Sequence, residues 1–285
     1  MPVPQSTIQH MTRNEADMAF KKRVQTVFDW IDTDSAPYVL DIPCGRGFYL
    51  NMFRYATPQV RIVGAELEWD VIRKAQANVG HLNIPLHNAN IYHLPYPSAS
   101  FDAVILSEIL EHIEDDQAAL REVYRVLKPN GVVVITVPNA NYPFWWDPIN
   151  KTLERFFGTH IQRGMFAGIW ANHVRLYTMP DLRKAVKGAG FVVEEERRFT
   201  HDSFPFIHNL VYGIGMPLLE RGALPKQMAT AANRLTFDQN DGKWWNPINL
   251  GLRVFNFFDR KNTINEAPER STVNLAMKGR KPNDG

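Results

Sequence analysis

Short apolar runs alternate with amphipathic helical stretches in the first half of the chain, and this alternation constrains the fold more than any other feature. Strands are predicted at 38–42, 61–66, 84–87, 101–106 and 131–137, and helices at 48–55, 70–79 and 115–127. The last of these strands, GVVVITV, is continuously apolar, as in strands that are buried on both faces. Such alternation indicates a parallel sheet with helices on both faces, so we predict an α/β fold.

The second half of the chain adds two insertions to this core. The first is rich in aromatic residues and the second is long and irregular, with a helix and a strand between them and a further strand near the end. The predicted units are an N-terminal helix at 1–35, a core at 36–140, an insertion at 141–178, a core helix and strand at 179–199, an apolar helical insertion at 200–265, and a last strand and tail at 266–285.

Three helix starts can be predicted from capping patterns. Thr12 and Glu15 form a T-x-x-E capping box ahead of the first apolar stripe. The hexapeptide WWDPIN at 145–150 recurs as WWNPIN at 244–249. Each copy places Asp or Asn before a proline at the first helical position, a favoured helix start. Each copy should therefore open an amphipathic helix that presents a tryptophan pair at its N-terminal end.

Composition excludes several classes of protein. The single cysteine, Cys44, excludes a disulfide framework and a multi-cysteine zinc site. No apolar run approaches the ~20 residues that span a bilayer, and the N-terminus lacks the apolar segment of a secretory signal, so we expect a cytoplasmic protein. Residues 1–140 carry a net charge of −4 and residues 141–285 carry +6. This asymmetry suggests an anionic contact but is too small to predict nucleic-acid binding.

A glycine turn follows the first predicted strand. In VLDIPCGRG the strand ends at Asp41, and Gly45 and Gly47 then lead into a helix. This arrangement brings backbone N–H groups and a helix N-terminus against a polar or anionic ligand. It is not the G-x-G-x-x-G dinucleotide fingerprint, because Pro43 stands where a first glycine would be. The same turn would also serve as an ordinary connection between a strand and a helix.

Polar side chains follow the next three strands. Glu66 ends the second strand, and its two carboxylate oxygens can accept both hydroxyls of a ribose. Asn90, beside the apolar Ile91, can recognise an adenine edge. Ser107 follows the strand FDAVIL. Because ligands of open α/β sheets bind at the carboxyl edge of the strands, these residues predict one ligand site.

Four segments resemble, in order and spacing, the motifs of class I S-adenosylmethionine-dependent methyltransferases: VLDIPCGRG, VGAE, HNANIYHLPYPSASFDAVILSEILEHIED and LREVYRVLKPNGVVVITVPN. The nearest group includes ubiquinone and menaquinone biosynthesis C-methyltransferases and many small-molecule O-methyltransferases. The resemblance covers 36–140 and, weakly, 173–197. It implies a Rossmann-like, mostly parallel sheet of seven strands with an antiparallel last strand, and S-adenosylmethionine as the cofactor.

The resemblance also assigns the cofactor contacts. Asp41, Gly45 and Gly47 would surround the methionine part, and Glu66 would hold the ribose hydroxyls. Asn90 and Ile91 would frame the adenine, and Ser107 would lie near the sulfonium. Two positions depart from the family pattern: Pro43 replaces a glycine and removes one N–H, and Asn90 replaces the commoner aspartate, whose charge would accept a hydrogen bond more strongly.

Methyl transfer from a sulfonium is an in-line displacement, so most of the catalysis comes from holding the acceptor and the methyl group in line. An oxygen or carbon acceptor can also need a base, for which His112 and His173 are the candidates, with Tyr177 behind them. Either histidine could instead have a structural role, His112 as a helix brace and His173 in packing. No cluster with metal-ligand spacing is present, so no metal is predicted.

The insertions should determine which acceptor binds. They hold five of the seven tryptophans, and Leu210, Val211 and Ile214 follow at helical spacing. Such a surface fits a lid over a small or lipid-linked acceptor, a peripheral membrane contact or an extension of the core. The alternative function is a catalytically silent protein of this fold that acts as a binding partner. The sequence leaves the acceptor atom and the oligomeric state open.

Overall fold

A seven-stranded β-sheet forms the centre of the computed structural model, which describes residues 3–35, 37–215, 218, 223, 225–237 and 245–283. Within these residues the strands are β1 (Tyr38–Asp41), β2 (Arg61–Glu66), β3 (Leu86–Asn88), β4 (Phe101–Ser107), β5 (Leu127–Pro138), β6 (Val192–Phe199) and β7 (Asn274–Arg280). Their order is β3-β2-β1-β4-β5-β7-β6. Only β7 runs antiparallel to its neighbours, β5 and β6. The predicted sheet with its antiparallel last strand is confirmed.

Helices cover both faces of this sheet. The described α-helices are α1 (Gln5–Met11), α2 (Met18–Trp30), α3 (Phe48–Ala56), α4 (Trp69–Val79), α5 (Asp116–Val126), α6 (Pro148–Phe157), α7 (Met179–Gly188), α8 (Lys226–Ala231) and α9 (Pro247–Asp259). Successive side chains of a strand point to opposite faces, so Leu40 packs with residues of α5 and α7, whereas Val39 packs with residues of α2 and α3. None of the described helices has both the length and the apolar character needed to cross a membrane.

The N-terminal segment differs from the prediction, because it forms two helices and the second begins at a different cap. Asp17 caps α2, and its carboxylate accepts hydrogen bonds from the N–H groups of Ala19 (2.9 Å) and Phe20 (3.1 Å). Thr12 follows the last residue of α1, so its hydroxyl donates back to the carbonyl of Ile8. The predicted capping box of Thr12 and Glu15 is therefore wrong.

Both W-W-[D/N]-P-I-N copies begin helices as predicted. Asp147 caps α6 through the N–H of Asn150, and Asn246 caps α9 through the N–H of Ile248. The tryptophans do not all face outward, however. Trp145 is 58% exposed and Trp245 is 63% exposed, whereas Trp146 is 3% exposed and packs against buried apolar side chains that include Met18, Tyr142 and Ile169. Trp244 lies outside the described residues.

Candidate active site

Asp41, the last residue of β1, is a fully buried acid without a described hydrogen-bond partner. Neither of its carboxylate oxygens has a partner within the described chain. Burial, and then the negative charge of Glu66, raise the pKa of Asp41 well above its usual range. A buried polar group without a partner is costly, so its presence at a strand end indicates a position where a ligand supplies hydrogen-bond donors.

The turn after Asp41 requires glycine at two positions. Gly45 and Gly47 have φ angles of +52° and +85°, in the left-handed region that other residues rarely adopt. A Cβ at Gly47 would lie 3.0 Å from a side-chain carbon of Val79, so the close approach of α3 to α4 also requires glycine. A Cβ at Gly45 would meet no atom within 4 Å. The turn therefore borders open space at Gly45, as a ligand site requires.

Glu66 joins the end of β2 to this turn. Its Oε2 accepts a hydrogen bond from the backbone N–H of Gly45 at 3.1 Å, and its Oε1 accepts one from the N–H of Leu67 at 2.8 Å. The carboxylate is thus held in one orientation. Because each carboxylate oxygen can accept more than one hydrogen bond, the two oxygens can still bind the two hydroxyls of a ribose.

The remaining predicted cofactor residues lie along the same edge of the sheet. Asn88, in β3, is the register partner of Glu66, and Asn90 follows two residues later. The side chain of Asn90 is exposed and its oxygen accepts the N–H of Tyr92 at 3.0 Å, whereas Ile91 is buried in the core. Ser107 ends β4, and its hydroxyl lies 2.9 Å from that of Thr136.

The two candidate bases meet beside a buried acid that sequence reasoning did not select. The rings of His112 and His173 have centroids 4.5 Å apart at an interplanar angle of 72°. The Nε2 atoms of these histidines lie 3.9 Å and 4.0 Å from Oε1 of Glu111, which is fully buried with no described partner for either carboxylate oxygen. The motif Leu110-Glu111-His112 contained the signal for Glu111, but no local pattern connects it to His173.

The spacing of residues along the chain predicted no cluster of metal ligands, whereas the structure brings three potential ligands together. One ligand atom from each of Glu111, His112 and His173 lies within 4.8 Å of the others. Two of the three residues are adjacent in sequence, but His173 comes from the segment after α6. Spacing along the chain could not reveal the cluster, because the tertiary structure assembles it.

A cavity of about 150 Å³ lies beside these three residues and is connected to Ser107 by hydrogen bonds. Glu108, which also lines the cavity, accepts a hydrogen bond from Thr136 at 3.0 Å. Thr136 has one proton to donate, so Ser107 donates its own proton to Thr136. Arg23, which also lines the cavity, forms an ion pair of 2.6 Å with Glu108. Hydrogen bonds thus join Ser107, at the predicted sulfonium end, to Glu108 in the wall of the cavity that the two histidines also line.

Burial controls the protonation of His173 and Glu111. Burial, and then the nearby His112, lower the pKa of His173 to about 3, so this histidine is neutral at pH 7. Burial, and then the charge of Glu108, raise the pKa of Glu111 well above its usual range. Tyr177 has a different position: it donates to Asp116 at 2.7 Å and is not among the described residues that line the cavity.

Known methyltransferases resemble this chain in sequence. Residues 40–135 match the model of a family described as a methyltransferase domain. A ubiquinone/menaquinone biosynthesis C-methyltransferase from Desulfotalea psychrophila is 30% identical over 172 residues, which cover 58% of this chain and 69% of that protein. A demethylmenaquinone methyltransferase from Listeria welshimeri is 31% identical over 117 residues, which cover 39% of this chain and 50% of that protein.

Solved methyltransferase structures also resemble the fold of this chain. A S-adenosylmethionine-dependent methyltransferase from Archaeoglobus fulgidus aligns with a TM-score of 0.52 and 16% identity, over 93% of this chain and 95% of that one. At this identity the likeness concerns the fold alone. The chain spans about half of the length of curated relatives such as the demethylmenaquinone methyltransferase, and the residues that match the family model, 40–135, include the predicted cofactor contacts.

Proposed function

Because this chain belongs to the family of S-adenosylmethionine-dependent methyltransferases, we propose that it transfers the methyl group of S-adenosylmethionine to a small or lipid-linked acceptor. The observation that carries the proposal is Asp41, buried at the end of β1 with no described partner, next to the glycine turn that Glu66 holds. An unpartnered acid of this kind fits the positively charged amino group of the methionine part. The residues present therefore fit the cofactor.

Each proposed cofactor contact is made by a residue at the end of a strand or shortly after it. Glu66 would hold the ribose hydroxyls, because its carboxylate is already oriented by Gly45 and Leu67. Asn90 and Ile91 would frame the adenine, with Ile91 as the apolar wall. Asp41, Gly45 and Gly47 would surround the methionine part, and Ser107 would lie by the sulfonium. The cofactor supplies an electrophilic methyl group at that end.

The acceptor would bind in the cavity that His112 and His173 line. Hydrogen bonds from Ser107 through Thr136 to Glu108 join this cavity to the residue that we propose lies by the sulfonium, which supports an acceptor site near the methyl group. His112 and His173 are the residues that would receive the acceptor's proton or position its nucleophilic atom. Tyr177 is the weaker candidate because its hydroxyl donates to Asp116.

An apolar acceptor suits the second half of the chain. A larger cavity, about 390 Å³, is lined mostly by apolar residues that include Leu210, Val211, Leu252 and Phe255. Trp145 and Trp245 are exposed on this half, together with Phe144, Phe156, Phe157 and Phe257. We define these six residues as the aromatic surface and propose that it makes peripheral contact with a lipid layer. The two relatives named for quinone methylation support an acceptor that carries a lipid chain.

The test is methyl transfer with labelled S-adenosylmethionine. The purified protein should bind the cofactor by calorimetry and should methylate a demethylated quinol with an isoprenoid tail faster than its tail-free analogue. Binding without transfer to any acceptor in a broad panel would instead favour the alternative, a protein of this fold that does not catalyse. Absence of cofactor binding would overturn the proposal entirely.

A further inference from the structure

We propose that Glu111, His112 and His173 bind a divalent transition-metal cation. The three residues offer one carboxylate oxygen and two imidazole nitrogens, all within 4.8 Å of one another. In a tetrahedral site with bonds of about 2.1 Å, ligand atoms lie about 3.4 Å apart. The separations of the histidine Nε2 atoms from Oε1 of Glu111 are 3.9 Å and 4.0 Å, so these two pairs are within about 0.6 Å of the tetrahedral separation.

The burial of Glu111 is a second, independent reason to propose a cation at this site. It is fully buried, and neither of its carboxylate oxygens has a hydrogen-bond partner in the described part of the chain. Among the described residues that line the same cavity, Arg23 carries a permanent positive charge, but its guanidinium pairs with Asp17 and Glu108. A buried carboxylate without a partner is unfavourable unless it takes up a proton or a cation compensates its charge. A divalent cation between Glu111 and the two histidines would supply that compensation.

The tautomer of His112 is the one that metal binding requires. Its Nδ1 lies 3.0 Å from the backbone carbonyl oxygen of Asn172. A carbonyl can only accept a hydrogen bond, so Nδ1 carries the proton and Nε2 presents its lone pair toward Glu111. Metal-ligating histidines typically donate their other ring N–H to a carbonyl or carboxylate in this way. The orientation is therefore set before any cation binds.

The backbone also fixes His173 against Glu111. The N–H of Val174, the next residue, donates to the carbonyl oxygen of Glu111 at 2.8 Å. The backbone N–H of His173 itself donates to the carbonyl oxygen of Trp170 at 3.1 Å. These two hydrogen bonds hold His173 beside Glu111 and His112. A pre-organised site needs this kind of backbone support.

Three protein ligands leave coordination positions open toward the cavity of about 150 Å³. Two histidines with one carboxylate are a donor set for Zn²⁺, Fe²⁺ or Mn²⁺, and such sites keep an open position for water or substrate. On the proposed function, an acceptor hydroxyl in that position would lose its proton to solvent more easily. Its oxygen would then form the bond to the methyl carbon as the sulfonium carbon–sulfur bond breaks. The histidines would then be metal ligands and would not act as the base.

The experiment starts from protein stripped of metal with a chelator and exchanged into metal-free buffer. Calorimetric titration with Zn²⁺ and with Mn²⁺ should give one site per chain for at least one of the two cations, and the bound cation should raise the melting temperature. Glu111→Gln and His173→Gln should each weaken binding at least tenfold. His160→Gln, which removes a histidine outside the cluster, should leave it unchanged.

Two results would overturn the inference. One is the lack of any stoichiometric binding by the folded wild-type protein, and the other is unchanged affinity in both cluster variants. Because Gln is nearly isosteric with Glu, melting curves of the metal-free variants separate a folding defect from the loss of a ligand. Calorimetry with S-adenosylmethionine on the same samples distinguishes this failure from failure of the proposed function, since the proposed methionine and ribose contacts of Asp41 and Glu66 lie at the ends of β1 and β2.

Discussion

The backbone N–H of Gly45 donates a hydrogen bond of 3.1 Å to Oε2 of Glu66, so the glycine turn after β1 and the acid at the end of β2 form one structural unit. The parallel pairing of β1 with β2 makes this contact possible, because it brings both strand ends to the same edge. The same acid also accepts the N–H of Leu67. Changes at either Gly45 or Glu66 should therefore affect cofactor binding.

Replacing Glu66 with Ala should weaken S-adenosylmethionine binding by about ten- to a hundredfold, because the variant loses the proposed charge-assisted hydrogen bonds to the ribose, worth roughly 1.5–3 kcal/mol. Calorimetric titration measures the change. Glu68→Ala, which removes a neighbouring acid at the start of α4, is the matched control and should bind normally. Equal affinity of the Glu66→Ala variant and the wild type would show that the ribose lies elsewhere.

Replacing Gly45 with Ala should impair both stability and cofactor binding. The φ angle of +52° disfavours a Cβ by about 1–2 kcal/mol, although no atom lies within 4 Å of its position. Gly158→Ala is a matched control, because Gly158 has a φ angle of +61° and also has no neighbour within 4 Å. Thermal denaturation should show similar losses for both variants, while only Gly45→Ala should lose affinity. Normal cofactor binding by Gly45→Ala would contradict a site beside the turn.

The buried acid Asp41 should make stability depend on pH. Because its folded-state pKa is raised, the folded state binds more protons than the unfolded one. The stability that this proton provides is complete below the unfolded pKa of about 3.9 and is lost as the pH rises toward the folded-state pKa.

Asp41→Asn should therefore melt at a higher temperature than the wild type at pH 7–8, with the difference shrinking toward pH 4. It should nevertheless bind S-adenosylmethionine more weakly, because it cannot carry the negative charge that we propose faces the amino group of the cofactor. A variant that binds as tightly as the wild type would remove Asp41 from the site.

Replacing either His112 or His173 with Ala should reduce turnover by about 10²–10⁴-fold and leave affinity for S-adenosylmethionine nearly unchanged. Single-turnover assays together with calorimetry separate the two effects. Tyr177→Phe is the comparison, because it removes a hydroxyl that donates to Asp116 outside the cavity. Full activity in both histidine variants, with loss in Tyr177→Phe, would transfer the catalytic role to the tyrosine.

The aromatic surface should bind anionic vesicles. Trp145→Ala and Trp245→Ala together should reduce co-sedimentation with such vesicles at low salt, because exposed tryptophans favour the headgroup level. Trp69→Ala is the matched control: Trp69 is also exposed, but it lies in the half of the chain with a net negative charge. If the wild-type protein stays in the supernatant at low salt, these residues do not bind a lipid layer. A lid over the acceptor would then remain as their role.

Much of the fold could be predicted from local sequence. Strand and helix order follows from apolar periodicity, and the α6 and α9 caps follow from Asp147 and Asn246, whose side chains reach N–H groups only two or three residues away. Asp41 and Glu66 could be placed at one site because parallel strands end at the same edge of the sheet. These features depend on neighbours in sequence or on the direction of the strands.

Only the tertiary structure decided which side chains meet across long stretches of chain. The two tryptophans at 145 and 146 have the same local signal, yet Trp146 is buried because α2 and the segment at 168–170 pack around it. Glu111 and His173 lie in separate motifs, and the hydrogen bond between Val174 and Glu111 brings them together. The sequence by itself determined which polar residues stand at the strand ends of the proposed cofactor site. The packing of the later segments, which depends on long-range burial, decided which side chains line the cavity proposed for the acceptor.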